Sequence, residues 1–336
     1  MITPLLRALK KDGHHVTLNC NQRTFDVLKH NPNIDKFILN TKDMKIPDLN
    51  EYWKELGKGF DESINLSGSI EERLLRKEGS ESFYWPHHKR HNACNLNYVE
   101  ITLRDGGHEG SDPKTELHFT PLEHQEAKKW KKKYKDYFTI LWSLSGSSFH
   151  KTYPYAEYVA MALMKKYPDI LIATVGDEIC GLLEWRHERT KCYSGNWSIR
   201  KSFIMTKYVD CVVGTETGVL NAASAFDTPK VIMLSHSSEE NLTKHWDNCT
   251  NLGANVECRP CHRLIYTLEA CPLEPGLRAP VCMSQLHSRA VFNAIEEVYI
   301  KWRNQKWEHS TVGIGRSGPK ETGFLTDRTS GLSMTA

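Results

Sequence analysis

Residues 208–237 read YVDCVVGTETGVLNAASAFDTPKVIMLSHS and carry the strongest structural signal in the chain. An apolar run at 209–213 precedes the turn GTETG (214–218), which is followed by a helical pattern and a second apolar run at 231–234. This order predicts a strand, a tight turn, a helix and a strand. Gly and Thr at a helix start present N–H groups, hydroxyls and the positive end of the helix dipole, which suits a diphosphate. The alternative is an ordinary turn in which Thr217 only caps the helix.

The composition is that of an ordinary globular protein. A chain of 336 residues allows two domains, and 39% hydrophobic residues suffice for both cores. The formal net charge of +3 gives no indication of nucleic-acid binding, and the densest basic run, 128–135, is interpreted as a solvated helix and linker. No run approaches the roughly 18 apolar residues of a membrane span, and no signal peptide is recognisable. We therefore expect a cytoplasmic protein with at most peripheral membrane contact.

Ten cysteines are too few, at this length, for a disulfide scaffold. Four of them follow the pattern Cys258-x2-Cys261-x9-Cys271-x10-Cys282. The first pair has a spacing found in metal sites, but the later intervals are uneven and no second CxxC follows. We favour free thiols in a structured loop, and the alternative is a structural zinc or cluster.

Strand and helix patterns alternate along the chain, which predicts an α/β fold with helices on both faces of an open sheet. The predicted strands lie at 15–18, 36–39, 62–66, 115–119, 137–144, 170–175, 209–213 and 231–234. The predicted helices include 2–12, 24–30, 52–56, 95–103, 122–134, 154–166 and 290–307. We place a domain boundary near residue 134, which gives an N-terminal domain at 1–134, a C-terminal domain at 135–308 with a closing helix, and a disordered tail at 309–336.

Three predicted strands of the second half end in polar loops: SGSSFHK (145–151), GDE (176–178) and GTETG. In open α/β sheets, ligands bind beyond the carboxyl ends of the strands. Lys151 offers a mobile positive charge for a diphosphate, and Glu178 offers a carboxylate for the hydroxyls of a ribose. The loops together predict a nucleotide diphosphate site. Each residue alone is equally well explained as a surface lysine, a solvated carboxylate or a helix cap.

Several segments, in order, carry a resemblance to one family: TPLLRALKK, NPNIDKFI, SGSSFHKTYP, GTETGVLNAASAFDTPKVIML and then CRPC, CPLEP and CMSQL. Over nearly all of residues 2–300 the chain resembles glycosyltransferase family nine, the ADP-heptose:lipopolysaccharide heptosyltransferases. The most specific part is GTETGVLNAA, which is similar to the family's Asp-Thr-Gly-x-x-His-Leu-Ala block. The resemblance implies two Rossmann-like domains facing across a cleft, the GT-B arrangement. It also implies inverting transfer without metal or cofactor, from an ADP-heptose donor to a lipid-linked or other glycan acceptor.

The resemblance implies roles for individual residues of the second half. Gly146 and Ser147 fall where the family contacts the donor phosphates. Lys151 falls on the phosphate-binding lysine, which would stabilise the leaving group, and Glu178 falls on the carboxylate that holds the donor ribose.

The GTETG turn both keeps and departs from the family pattern. Thr217 and Gly218 keep the phosphate turn. Glu216 stands where Asp is usual and Asn221 where His is usual; both can still form hydrogen bonds, but Glu is longer and Asn cannot become cationic. The resemblance therefore leaves donor geometry and sugar preference open.

The family's general base is an Asp in a loop before the helix matched by TPLLRALKK, so that it would lie upstream of Met1. Asp12, at the far end of this helix, is not expected to replace it. We expect that the sequence is a fragment whose first domain is incomplete at its N-terminus, and the alternative is a protein that has lost its base.

Two functions follow from these alternatives. One is an inverting glycosyltransferase, and the other is a non-catalytic protein that binds a nucleotide sugar or a glycan. A carboxylate on the acceptor side of the cleft would discriminate between them, and Asp105 and Asp112 are the sequence candidates.

Overall fold

The computed structural model describes residues 1–40, 46–146 and 148–312. Its first half is mostly helical around one short pair of parallel strands, in which Thr17 lies opposite Lys36. The elements of this half, in order, are α1 (Thr3–Lys11), β1 (Thr17–Cys20), α2 (Gln22–Leu28), β2 (Lys36–Leu39), α3 (Ile46–Gly57), β3 (Arg76–Lys77), α4 (His87–Cys94), α5 (Tyr98–Asp105) and α6 (Pro121–Lys133).

Helix α1 forms where the sequence predicts it. Proline in its first turn and lysines in its last turn suit the two ends of a helix. Its apolar side buries Leu5 against Val99 and Leu103 of α5, and Leu6 against Val16 and Leu28. The helix thereby joins α5 to the β1–β2 pair.

The second half contains a six-stranded parallel sheet. Its elements are β4 (Phe138–Ser143), α7 (Ala156–Lys166), β5 (Ile170–Val175), β6 (Thr190–Cys192), α8 (Ile199–Met205), β7 (Cys211–Thr215), α9 (Gly218–Ala223), β8 (Lys230–Met233), β9 (Cys249–Leu252), β10 (Arg263–Leu264), α10 (Val281–Ser284) and α11 (Ser288–Val312). The strand order is β6-β5-β4-β7-β8-β9. The chain builds outward from β4 in one direction and from β7 in the other, so the strand order reverses between β4 and β7. Ligands of open α/β sheets bind at such a switch point.

Helices cover both faces of this sheet, and every residue of β4, β5, β7 and β8 is buried. On one face, Trp142 and Phe138 pack with side chains of α7 and α11. On the other, Leu141 and Val212 pack with α8, α9 and α5. Burial on both faces explains why these strands are continuous apolar runs rather than alternating patterns.

The α/β class is confirmed by this parallel sheet. The strands predicted at 36–39 and 170–175 have the predicted bounds, whereas the strand predicted at 15–18 begins two residues later. The strands predicted at 62–66 and 115–119 are wrong, because neither segment joins a strand ladder. Their apolar residues are explained by packing instead: Leu66 contacts the cluster around α1, and Leu117 and Phe119 pack at the edge of a larger core.

The C-terminal helix also differs from the prediction. Helix α11 runs to Val312, past the residue 309 where the disordered tail was predicted to begin. The rest of that predicted tail, 313–336, lies outside the described residues. Tyr299 of α11 donates a hydrogen bond to Asp169 at 2.7 Å, which fixes the helix against the sheet. No helix within the described ranges is long and apolar enough to cross a membrane.

Strand pairing and a buried arginine are among the contacts that join the halves of the chain on either side of the boundary predicted near residue 134. Strand β3 of the first half pairs in parallel with β10 of the second. Arg200 of α8 donates to the carbonyl oxygens of Asp26 and Val27 at the end of α2, and to both carboxylate oxygens of Glu123 in α6. A buried guanidinium with this many acceptors holds three helices in a fixed arrangement.

Candidate functional site

A pocket of about 380 Å³ lies at the carboxyl ends of β4, β7 and β8. Its lining comes from both halves of the chain: Met1, Leu66, Gly68, Ser69, Ile70, Glu71, Leu75 and Tyr98 from the first, and Lys151, Glu216, Asn221, His236, Ser237 and Leu242 from the second. The pocket thus opens at the switch point of the sheet, where the topology places a ligand site.

Lys151 contributes a positively charged side chain to the lining of this pocket. It ends a short 3-10 turn, Phe149–Lys151, and its carbonyl oxygen accepts a hydrogen bond from Thr215 Oγ1 at 2.8 Å, which ties the loop after β4 to the end of β7. The residue is only 8% exposed. Burial lowers the pKa of its ammonium, while the nearby carboxylates of Glu216 and Glu71 raise it. Among the described residues, none forms a hydrogen bond or a salt bridge with Lys151 Nζ.

Gly146 leaves room for the side chain of Lys151 beside the GTETG turn. A Cβ at this position would lie 2.8 Å from Lys151 Cδ and 3.4 Å from Thr217 Cγ2. A side chain would therefore displace the lysine stem or the GTETG turn. The sequence prediction that Gly146, Lys151 and Thr217 come together corresponds to this contact.

Thr217 is the N-cap of the six-residue helix α9. Its Oγ1 accepts a hydrogen bond from the Leu220 N–H at 3.4 Å and is also bonded to Ser143 Oγ at 3.0 Å. The hydroxyl thus makes the cap that was one of the two sequence interpretations. A Cβ added at the following Gly218 would lie 3.4 Å from the ring of Phe203, which is ordinary van der Waals contact.

Glu216 is buried, and its carboxylate holds the loop after β8. Oε1 accepts hydrogen bonds from the Ser235 N–H at 2.6 Å and the Ser237 N–H at 3.1 Å, and Oε2 accepts one from Ser235 Oγ at 2.7 Å. The longer side chain of Glu in place of Asp thus reaches across to a neighbouring loop. Asn221 of α9 lines the pocket beside it.

Other predicted residues stand apart from this group. Glu178 is exposed on the loop after β5 and does not line the pocket. This loop packs closely on Gly195, where an added Cβ would lie 3.1 Å from the Glu178 Cα. Ser147 lies outside the described residues. Ser148 is turned inward, where its hydroxyl donates to the Ile265 carbonyl and is bonded to His150 Nδ1.

Among the described residues that line the pocket, sequence reasoning missed five polar ones: Ser69, Glu71, Tyr98, His236 and Ser237. The last two directly follow β8, so the rule on carboxyl ends of strands could have found them. The hydroxyl oxygen of Tyr98 lies 3.3 Å from Ser237 Oγ. Burial raises the pKa of the Tyr98 hydroxyl. No periodic pattern marks Glu71, which lies in a turn between two irregular segments.

The four clustered cysteines surround a second, much smaller cavity of about 20 Å³, together with His150 and His236. Burial raises the pKa of the Cys261 thiol to about 11 and that of Cys271 to about 12. All four are free thiols. In the part of the chain that the structure describes, no three His, Cys, Asp or Glu side chains are arranged to hold a metal ion. The volume is about that of one water or one ion.

No family sequence model matches this chain, and no curated protein sequence matches it. Solved protein structures, in contrast, do match the fold of this chain. The structure of ADP-heptose LPS heptosyltransferase II from E. coli superimposes with a TM-score of 0.60 at 12% identity, covering 90% of this chain and 95% of that one. A glycosyltransferase of family 9 from Veillonella parvula DSM 2008 gives a TM-score of 0.60 at 14% identity, with 89% and 93% coverage. The resemblance inferred from the motifs is confirmed at the level of fold: the chain is folded like the heptosyltransferases of glycosyltransferase family nine.

Proposed function

We propose that this protein is an inverting glycosyltransferase that transfers a heptose-like sugar from an ADP-heptose type donor to lipopolysaccharide or another glycan. The observation that carries the proposal is Lys151, a buried ammonium that forms no salt bridge with any described residue and lines an open pocket at the switch point of the sheet. A buried cation needs a partner, and the diphosphate of a nucleotide sugar supplies one.

In this proposal the donor lies across the loops after β4 and β7. Lys151 binds the diphosphate and stabilises the charge that develops on it as the sugar leaves. Gly146, Ser147, Thr217 and Gly218 contact the phosphates. The lysine provides the positive charge that a divalent metal provides in other transferases, so the reaction needs no metal ion or cofactor.

The remaining donor contacts follow from the same pose. Glu216 and Asn221 lie on the wall that would face the donor sugar. Glu178, on the next loop outward, holds the ribose. We propose that residues 135–308 bind the donor, that residues 1–134 bind the acceptor across a cleft, and that the protein acts in the cytoplasm with at most peripheral contact to the membrane. A zinc ion among the four cysteines would be structural, because none of these cysteines is among the residues that line the pocket.

Calorimetric titration of ADP, with UDP and GDP for comparison, tests the proposal. Lys151→Met keeps the bulk of the side chain and removes the charge, and Lys165→Met removes an exposed lysine of α7 as the matched control. Loss of a buried charge pair with phosphate costs about 2 to 4 kcal/mol, which is roughly a 30- to 1,000-fold rise in the Kd for ADP. The control should bind as the wild type does.

A folded wild-type protein that binds none of the three nucleotides would contradict the proposed function. Equal ADP affinity of the wild type and Lys151→Met would contradict the role of the lysine. Tight ADP binding without any sugar transfer would favour the alternative, a protein that binds nucleotide sugars without catalysis.

A further inference from the structure

His236, on the loop after β8, is a buried histidine of the pocket. It is 3% exposed and lines the 380 Å³ pocket together with Lys151 and Glu216. Its carbonyl oxygen accepts a hydrogen bond from the His262 N–H at 2.9 Å, which holds the backbone of the loop at this point. The chemistry that the ring offers to a ligand depends on which of its two nitrogens carries the proton.

Three groups lie close to Nδ1 of His236, and each of them is a hydrogen-bond acceptor. Glu216 Oε1 lies 3.5 Å from Nδ1. Ser235 Oγ lies 3.2 Å from Nδ1, and it can only accept there because it donates its own proton to Glu216 Oε2 at 2.7 Å. The third group is His150 Nε2, at 3.4 Å.

His150 Nε2 is an acceptor because the other nitrogen of that ring carries the proton. The Ser148 hydroxyl donates to the Ile265 carbonyl oxygen, so it accepts a hydrogen bond from His150 Nδ1 at 2.6 Å. Burial lowers the pKa of His150 to about 3 and the pKa of His236 well below its usual value, so both rings are neutral at pH 7. A neutral imidazole has one N–H. His236 therefore carries its proton on Nδ1 and a lone pair on Nε2.

The lone pair on Nε2 selects the kind of group that can bind beside it. Among the described residues, none donates a hydrogen bond to His236 Nε2, and a buried acceptor without a donor costs free energy. The diphosphate of a nucleotide sugar has no proton to donate at pH 7, whereas the hydroxyls of its sugar do. The matching ligand group in the pocket is therefore a sugar hydroxyl.

We propose that His236 Nε2 accepts a hydrogen bond from one hydroxyl of the donor sugar and thereby selects sugars that carry a hydroxyl at this position; this rests on the proposed function. Glu216 is a positioning residue in this arrangement, because its carboxylate orients Ser235 and keeps the His236 proton on Nδ1. A site built to pair with a hydroxyl discriminates strongly against analogues that lack it.

Calorimetric titration of ADP-heptose and of ADP tests the proposal in the wild type, His236→Asn and His236→Gln. Asn keeps a donor near the position of Nδ1 and has no acceptor at the position of Nε2, whereas Gln places an amide oxygen there. We expect His236→Asn to raise the Kd for ADP-heptose about 10- to 100-fold and the Kd for ADP less than about twofold. His236→Gln should fall between this variant and the wild type. The control is His150→Asn, at an equally buried ring that does not line the pocket; it should keep the wild-type ratio of the two Kd values.

Two further measurements identify the hydrogen bond itself. In a series of monodeoxy analogues of ADP-heptose, one analogue should bind the wild type about 10- to 100-fold more weakly than ADP-heptose does, and should bind His236→Asn as well as ADP-heptose does. This loss of discrimination is the coupling that a double-mutant cycle measures. The ¹⁵N chemical shifts of the His236 ring report which nitrogen carries the proton, and they should show the Nδ1–H tautomer in the wild type.

Three results would overturn the assignment. The first is an equal loss of affinity for ADP and ADP-heptose in His236→Asn, which indicates a structural role. The second is unchanged affinity for both, which indicates that Nε2 pairs with a water in the 20 Å³ cavity that His236 also lines. The third is an Nε2–H tautomer in the wild type. A wild type that does not bind ADP refutes the proposed function itself and the role of His236 with it, so the two failures are distinguishable.

Discussion

Acidification from pH 7 to pH 5 should destabilise this protein through its buried histidines. His262 and His150 are 0% and 2% exposed, and burial lowers the pKa of each from 6.5 to about 3. His236 is buried as well, and its pKa is lowered by the same cause. Their stabilising contribution is fully present above the unfolded pKa of 6.5 and is lost as the pH falls toward the folded value, because the unfolded chain takes up protons that the native state does not.

The magnitude for His262 follows from these two pKa values. At pH 7 about a quarter of unfolded imidazoles are protonated, and at pH 5 nearly all are, while the folded imidazole stays neutral at both. The difference in the free energy of unfolding between pH 7 and pH 5 is then about 2 kcal/mol for this residue. The result depends little on the folded pKa as long as it stays well below 5.

The hydrogen bonds of His262 agree with a neutral imidazole ring. His262 Nδ1 lies 3.1 Å from the Asn241 amide nitrogen, and its Nε2 lies 3.1 Å from His91 Nδ1. The amide nitrogen can only donate, so Nδ1 must accept and the ring proton must be on Nε2. Protonation would place two donors against each other.

Urea unfolding at pH 7 and pH 5 measures the effect. His262→Asn should reduce the loss of stability between the two pH values by about 2 kcal/mol. Asn is suitable because residue 262 has a φ of 52°, a conformation that Asn tolerates well. The exposed His88 is the control, and His88→Asn should leave the pH dependence unchanged. The reasoning is refuted by a His262→Asn variant that keeps the full pH dependence of the wild type.

Two further substitutions test the packing of the site and of the scaffold. Gly146→Ala should raise the Kd for ADP about tenfold, because the new Cβ would lie 2.8 Å from Lys151 Cδ and displace the lysine stem; unchanged ADP affinity by calorimetry would contradict this. Arg200→Met should lower the free energy of unfolding by about 3 to 5 kcal/mol, since it leaves the Glu123 carboxylate and several carbonyls without their donor. The side-chain hydrogen bond from Arg200 lowers the pKa of Glu123 to about 2, so a loss of less than about 1 kcal/mol in urea unfolding would show that this pair is replaced by water.

Part of the site could be predicted because it depends on local sequence. A strand, a turn and a helix start within ten residues fix where Thr217 and Gly218 lie relative to the sheet. Lys151 could be placed for the same reason, since it follows a strand whose apolar run is unmistakable. Parallel strands bring such loops to one edge, so their convergence needs no long-range information beyond strand order.

Glu71 and Tyr98 could not be predicted, because the segment around them has neither helical nor strand periodicity. Their position depends on how the first half packs against the second through α5 and β3. Periodicity also misled at 62–66 and 115–119, where alternation arises from side chains that pack on a core and not from pairing with a neighbouring strand.

The sequence by itself determined the α/β class, the central parallel strands and the polar loops after them, since periodicity and turn chemistry are local properties. Only the tertiary structure decided that Lys151 is buried without a salt bridge to any residue of the described ranges. It also decided that the Glu216 carboxylate accepts its hydrogen bonds from the loop after β8, and that Glu71 lines the pocket. Burial and pairing depend on residues distant in sequence, and these contacts form only when the two halves of the chain pack together.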